Sequence, residues 1–187
     1  MMGSVASGLQ AALLFARGRE DGLRYLEPDP GGVARSFWAL PMAMPAIVCL
    51  TLINWVQGGV PAHAGHALGL DMMAFVLGWI LYAVLTYELV RYIGAVDRWP
   101  CFIAAWNWCN VVENLLLVFG SIPALLGAPP IIAEASELFA IGWALWIEWF
   151  AIRSSLRANW LVAAWLVVLD QAIGLTLATL GYRLMHL

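Results

Sequence analysis

Five long runs of apolar residues dominate the chain, separated by short polar breaks. They cover approximately Phe37–Gln57, Met72–Val90, Cys101–Phe119, Ile131–Ile152 and Asn159–Leu180. Each is long enough to cross about 30 Å of hydrocarbon, which takes roughly 20 residues of helix. Helix is the expected form, because a backbone in lipid must satisfy its own hydrogen bonds. Turn residues agree: Gly58-Gly59-Val60-Pro61 ends the first run, Pro100 opens the third and Pro129-Pro130 opens the fourth. Between Ser4 and Leu26 the pattern changes. Leu9, Ala12, Leu13 and Ala16 recur at helical spacing, while Arg17, Arg19, Glu20, Asp21 and Arg24 supply a polar side. This segment is too short and too charged to span. It reads as an amphipathic helix lying on the inner leaflet or, equally, as a cap packed on the bundle. The expected fold is an all-α membrane protein: five transmembrane helices plus an N-terminal amphipathic interfacial helix. The organisation is a lead-in over 1–35 and a five-helix domain over 36–187.

Composition strengthens this reading. Of the 187 residues, 63% are hydrophobic and 11% charged, and mean hydropathy is +0.83. A soluble domain is about half apolar and about a quarter charged. The net charge of −3 excludes a nucleic-acid binder. All nine basic residues are Arg, which with abundant Ala and Gly suggests a GC-rich bacterial genome. No basic n-region precedes Leu9–Ala16, so a cleaved signal peptide is not expected. Cys49, Cys101 and Cys109 have no paired spacing and read as small hydrophobes.

The arginines predict orientation. Arg17, Arg19, Arg24 and Arg35 precede the first run, Arg91 and Arg98 follow the second, and Arg153 and Arg157 follow the fourth. The connections 58–70 and 120–130 hold none, which leaves Arg183 alone on the other side. The positive-inside rule then expects a cytoplasmic N-terminus and an outside C-terminus, in the bacterial inner membrane.

Acidic and amide side chains inside the runs are the candidate chemistry. An ionisable group at the centre of a span costs about 2.5 kcal/mol or more, so it needs a partner or a purpose. Glu113 and Asp170 each lie twelve residues beyond the start of an arginine-side run, at Cys101 and Ala158. At 1.5 Å per residue both fall roughly 18 Å deep, near the midplane. Asn107, Asn110 and Asn114 share a narrow face with Glu113 on its flank. No Arg stands at that depth, so at least one of the two carboxyls is expected to carry a proton. The set Asn107, Asn110, Glu113, Asn114 and Asp170 therefore reads as interhelical glue or as a proton or cation site. Glu148 reads as an interfacial partner of Arg153 or Arg157, and Glu88 as a partner of Arg91. Trp143, Trp146 and Phe150 form an aromatic stripe, suited to a quinone, carotenoid or lipid tail or to simple packing. His63 and His66 stand in a Gly- and Pro-rich connection that disfavours a zinc-binding helix, and no metal or other cofactor is expected. No catalytic signature and no loop for a soluble catalytic domain is present, so no enzymatic activity is expected.

Two short patterns recur in order: Gly78-Trp79-Ile80-Leu81-Tyr82 with Gly142-Trp143-Ala144-Leu145-Trp146, and Ala104-Ala105-Trp106 with Ala163-Ala164-Trp165. They suggest tandem hairpins over 70–127 and 129–187, as in parallel-repeat transporters. The stretch from Tyr92-Ile93-Gly94 to Leu180 has a Gly after the second span and an Arg-rich turn at Arg153–Arg157 before an Ala/Leu-rich last span. In this layout the chain resembles the bacterial branch of the Ypt-interacting-protein (YIP) membrane superfamily. That resemblance implies a five-span protein that organises or assists other membrane components. The acidic, Tyr-Gly-Pro-containing signature of the eukaryotic members is absent, so a trafficking role is not carried over. Two readings of other classes stand beside it: a small proton- or cation-linked permease, and a lipophilic-ligand or quinone-binding subunit. The expected partners are the lipid bilayer and a second copy or a larger membrane complex.

Overall fold

A computed structural model describes residues 2–185, with side chains for 5–183. The helices are α1 (Met2–Phe15), α2 (Pro30–Ser36), α3 (Ala39–Gly58), α4 (Ala64–Tyr92), α5 (Trp99–Leu125), α6 (Pro130–Leu156) and α7 (Trp160–Met185). Among the described residues there is no strand. Five stretches are long and apolar enough to span: 30–58, 64–92, 96–125, 130–156 and 160–183. The protein is an all-α, multi-pass membrane protein with a short apolar helix at its N-terminus.

The first span begins seven residues earlier than its hydropathy suggests. Asp29 caps α2, its Oδ1 accepting from the Gly32 N–H at 2.8 Å, with Pro30 at the first helical position. The helix then breaks at Phe37–Trp38. Pro41 explains the break: it has no N–H to donate to the Phe37 carbonyl four residues back, and its ring crowds that oxygen.

The N-terminal segment is not one helix to Leu26. α1 stops at Phe15, Gly18 turns the chain at φ +69°, and a 3₁₀ turn over Glu20–Tyr25 folds back. A Cβ on Gly22 would strike the Ala11 carbonyl and the Phe15 ring, so the return is backbone-close. Ala11, Ala12 and Phe15 are fully buried, and α1 packs on the returning 3₁₀ turn and on α5. α1 is thus a cap docked on the bundle, and its apolar side is spent on protein contacts.

The long helices close into a ring in the order α3, α4, α7, α6, α5, each touching its two neighbours. The tightest pair is α5 and α6, which meet where Gly120 admits Ala140. The centre of the ring is filled by an aromatic column. Phe75 meets Trp79 edge-on at 5.2 Å, Trp79 meets Trp106 at 5.1 Å, Tyr82 stacks on Trp106 at 4.4 Å, and Phe102 meets Tyr82 at 6.2 Å. At one end Arg98 donates to the Leu156 carbonyl at 3.0 Å, and Trp99 reaches the Thr86 hydroxyl. The ends of α4 and α6 and the start of α5 therefore lie together at the arginine-bearing end.

The tandem patterns fall in unlike surroundings. Trp79 and Trp106 are 3% and 2% exposed, whereas Trp143 and Trp165 are 39% and 71% exposed.

Candidate functional site

Three helices bring a carboxyl side chain to one buried place: Glu113 from α5, Glu148 from α6 and Asp170 from α7. Glu148 faces Asp170, Glu113, Trp106 and Gln171, and Glu113 also faces Asp170. Glu113 and Glu148 are buried. Glu148 does not pair with Arg153 or Arg157. At 100° per residue these arginines stand 140° and 180° round the helix from it, so neither can share its face. Arg153 instead covers the Trp149 ring at 5.4 Å, one turn away. Glu88 does reach Arg91, at 3.4 Å on an exposed surface.

No cation joins the cluster. The ion pairs among the described residues are Arg19–Asp21, Arg24–Asp21, Arg35–Glu27, Arg35–Asp29 and Arg91–Glu88, all at exposed sites. Around the carboxyls, Tyr82 Oη and Glu113 Oε1 are buried and lack hydrogen-bond partners, while the Glu148 carboxyl is bonded to Asp170, Trp106 and Gln171. Each buried polar atom left unpaired costs about 1–3 kcal/mol.

The three predicted amides take different places. Asn107 is fully buried; its Oδ1 accepts from Trp79 Nε1 at 2.6 Å, and its Nδ2 donates to Ser36 Oγ at 2.7 Å. It therefore ties α5 to α4 and to the end of α2. Asn110 and Asn114 donate along their own helix, to the carbonyls of Trp106 and Asn110. Asn110 also lines a cleft beside the cluster.

That cleft has a volume of about 470 Å³ and lies between α3, α4, α5 and α7. Thr51 and Asp71, which touch each other, line it nearer the arginine-poor end; Asn110, Asp170 and Gln171 line it deeper. A separate small pocket of about 20 Å³ lies between the N-terminal segment, α2 and α5, walled by Ser36, Arg35 and Trp108. Polar side chains thus line one part of this mostly apolar cleft, and of the three clustered carboxyls Asp170 borders it.

The aromatic stripe is partly occupied by the chain itself. Trp146 stacks on Phe150 at 5.5 Å, Phe150 meets Phe15 of α1 at 6.3 Å, and Trp143 Nε1 donates to the Ala16 carbonyl at 3.1 Å. The stripe holds the end of α1.

Sequence reasoning missed Glu148, Trp106 and the cleft. The signal for Glu148 was available in its angular distance from the nearest arginines. Trp106 and the cleft depend on helix order, which the sequence does not carry. The chain matches no protein-family model, no curated protein and no solved structure.

Proposed function

We propose that this protein is a small proton-linked permease. One observation carries the reading: Glu113, Glu148 and Asp170 meet inside a bundle of apolar helices with no cation beside them among the described residues, and Asp170 borders a cleft. Three neighbouring carboxylates cannot all stay ionised in surroundings of low dielectric, so the cluster holds protons. A group that holds a proton beside a cleft can take it up and release it, and intramembrane acids commonly mark proton relays. Asp170 borders the cleft and is the exchange point; Glu148 and Glu113 are its buried acceptors. The arginine distribution supports a cytoplasmic N-terminus, with the cleft facing outward.

The competing proposal is the non-enzymatic, organising role that a YIP-like layout implies. It needs no intramembrane acid, and one set of variants separates the two. The protein is reconstituted in liposomes containing a pH-sensitive dye, and a potassium diffusion potential is applied. The permease reading expects proton entry above that of protein-free vesicles, returning to background in Asp170→Asn and Glu148→Gln. Entry at background with the unaltered protein, or entry that survives both substitutions, overturns it.

A further inference from the structure

The cleft has more room than a proton needs. Its volume of about 470 Å³ lies within the range of small-molecule sites, roughly 300–1,000 Å³. Its charged lining is one-sided: Asp71 and Asp170 are present, and no Arg, Lys or His takes part. Asp71 lies about 10 Å along α4 from its first residue, and Asp170 about 15 Å along α7 from the opposite end. The two carboxyls therefore stand at different depths. Phe75, Trp79 and Trp106, three members of the central aromatic column, wall the space with them. Trp106 is 2% exposed and stands between the cleft and Glu148, so its ring forms a rigid floor.

Aromatic rings attract cations, and two carboxylates in a site with no basic group repel anions. We propose that the cleft binds a small monovalent organic cation, held between Asp71 and Asp170 against the Phe75, Trp79 and Trp106 rings. The proposal deepens the permease reading by naming its cargo, while binding itself does not depend on proton movement. Asp170 faces both the cleft and the buried acids, with Glu113 of α5, Glu148 of α6 and Tyr82 of α4 behind it. A cation at Asp170 and a proton on the cluster then compete for the same negative charge, which is the requirement for exchange.

Tetraphenylphosphonium and tetraphenylborate test this, because they share size and shape and differ in the sign of charge. Binding to the purified full-length protein in neutral detergent is followed by quenching of tryptophan fluorescence. The cation is expected to bind saturably, and the anion at least about tenfold more weakly. Asp170→Asn and Asp71→Asn are each expected to weaken the cation several-fold, and the double variant at least about tenfold. Gly174 also lines the cleft, and a Cβ there meets nothing within 4 Å. Gly174→Leu is therefore expected to fold normally and lose the cation with both carboxyls in place. Equal binding of the two probes, absence of cation binding, or affinity unchanged in both the double variant and Gly174→Leu overturns the proposal. Charge-selective binding without proton entry in liposomes rejects the permease reading alone; proton entry without charge selectivity rejects the cargo alone.

Discussion

Trp79 donates its indole N–H to the amide oxygen of Asn107 at 2.6 Å, and both side chains are buried at the centre of the helix ring. The other end of the same amide donates to Ser36, at the break between α2 and α3. One residue of α5 thereby fixes α4 and the start of the first span.

Asn107→Leu removes both bonds and leaves the Trp79 N–H without a partner, while the Ser36 hydroxyl keeps its bond to the Val33 carbonyl. An orphaned buried group costs about 1–3 kcal/mol, more than the average interhelical bond of about 0.6 kcal/mol contributes. The variant is expected to unfold in detergent with about 1–3 kcal/mol less stability, read by denaturant titration. Adding Trp79→Phe removes that orphan, so the double variant is expected to lose less than the sum of the two single changes.

Gly8 lets α1 lie against the Trp108 indole, and any Cβ there would overlap the ring. Gly8→Leu is expected to lift α1 from the bundle. Trypsin then has access to Arg17, Arg19 and Arg24, and cleavage within that turn accelerates relative to the unaltered protein. Gly142→Leu, at a position where a Cβ meets nothing within 4 Å, is the control and leaves the cleavage rate unchanged.

Asp21 lies in the turn after α1, outside the spans. The hydrogen bond from Arg19 holds its carboxyl below the ordinary 3.8, and the nearby charge of Arg24 adds to this. A lowered carboxyl contributes stability that is fully present above the unfolded value and is lost as pH falls through the folded one. The group is exposed, so its effect on the whole protein is small. NMR titration of Asp21 is expected to give a midpoint below 3.8, moving up towards it in Arg19→Gln. A midpoint unaffected by that substitution contradicts the assignment of cause.

With all five apolar helices spanning, the two ends are expected on opposite sides. With arginines concentrated before the first span and after the second and fourth, a reporter active only inside is expected to work at the N-terminus and fail at the C-terminus. Replacing Arg91, Arg98, Arg153 and Arg157 with Gln weakens the asymmetry, and mixed reporter signals are then expected.

The sequence by itself determined that five stretches are long and apolar enough to cross a membrane, where each of them ends, and that Glu113 and Asp170 stand well inside two of them. Those are requirements of length and hydropathy along one dimension, since every stretch of backbone in lipid must be long, apolar and helical whatever its neighbours. The tertiary structure decided the ring order α3–α4–α7–α6–α5, the arrival of Glu148 beside Asp170, the docking of α1 on the Trp146 and Phe150 stripe, and the cleft at Trp106. In water, an apolar stripe tells which face of a helix is buried. In a bilayer, lipid-facing and helix-facing positions are both apolar, so Trp106 at 2% exposure and Trp165 at 71% carry the same local signature. Only the packing of the helices against one another gives them different surroundings.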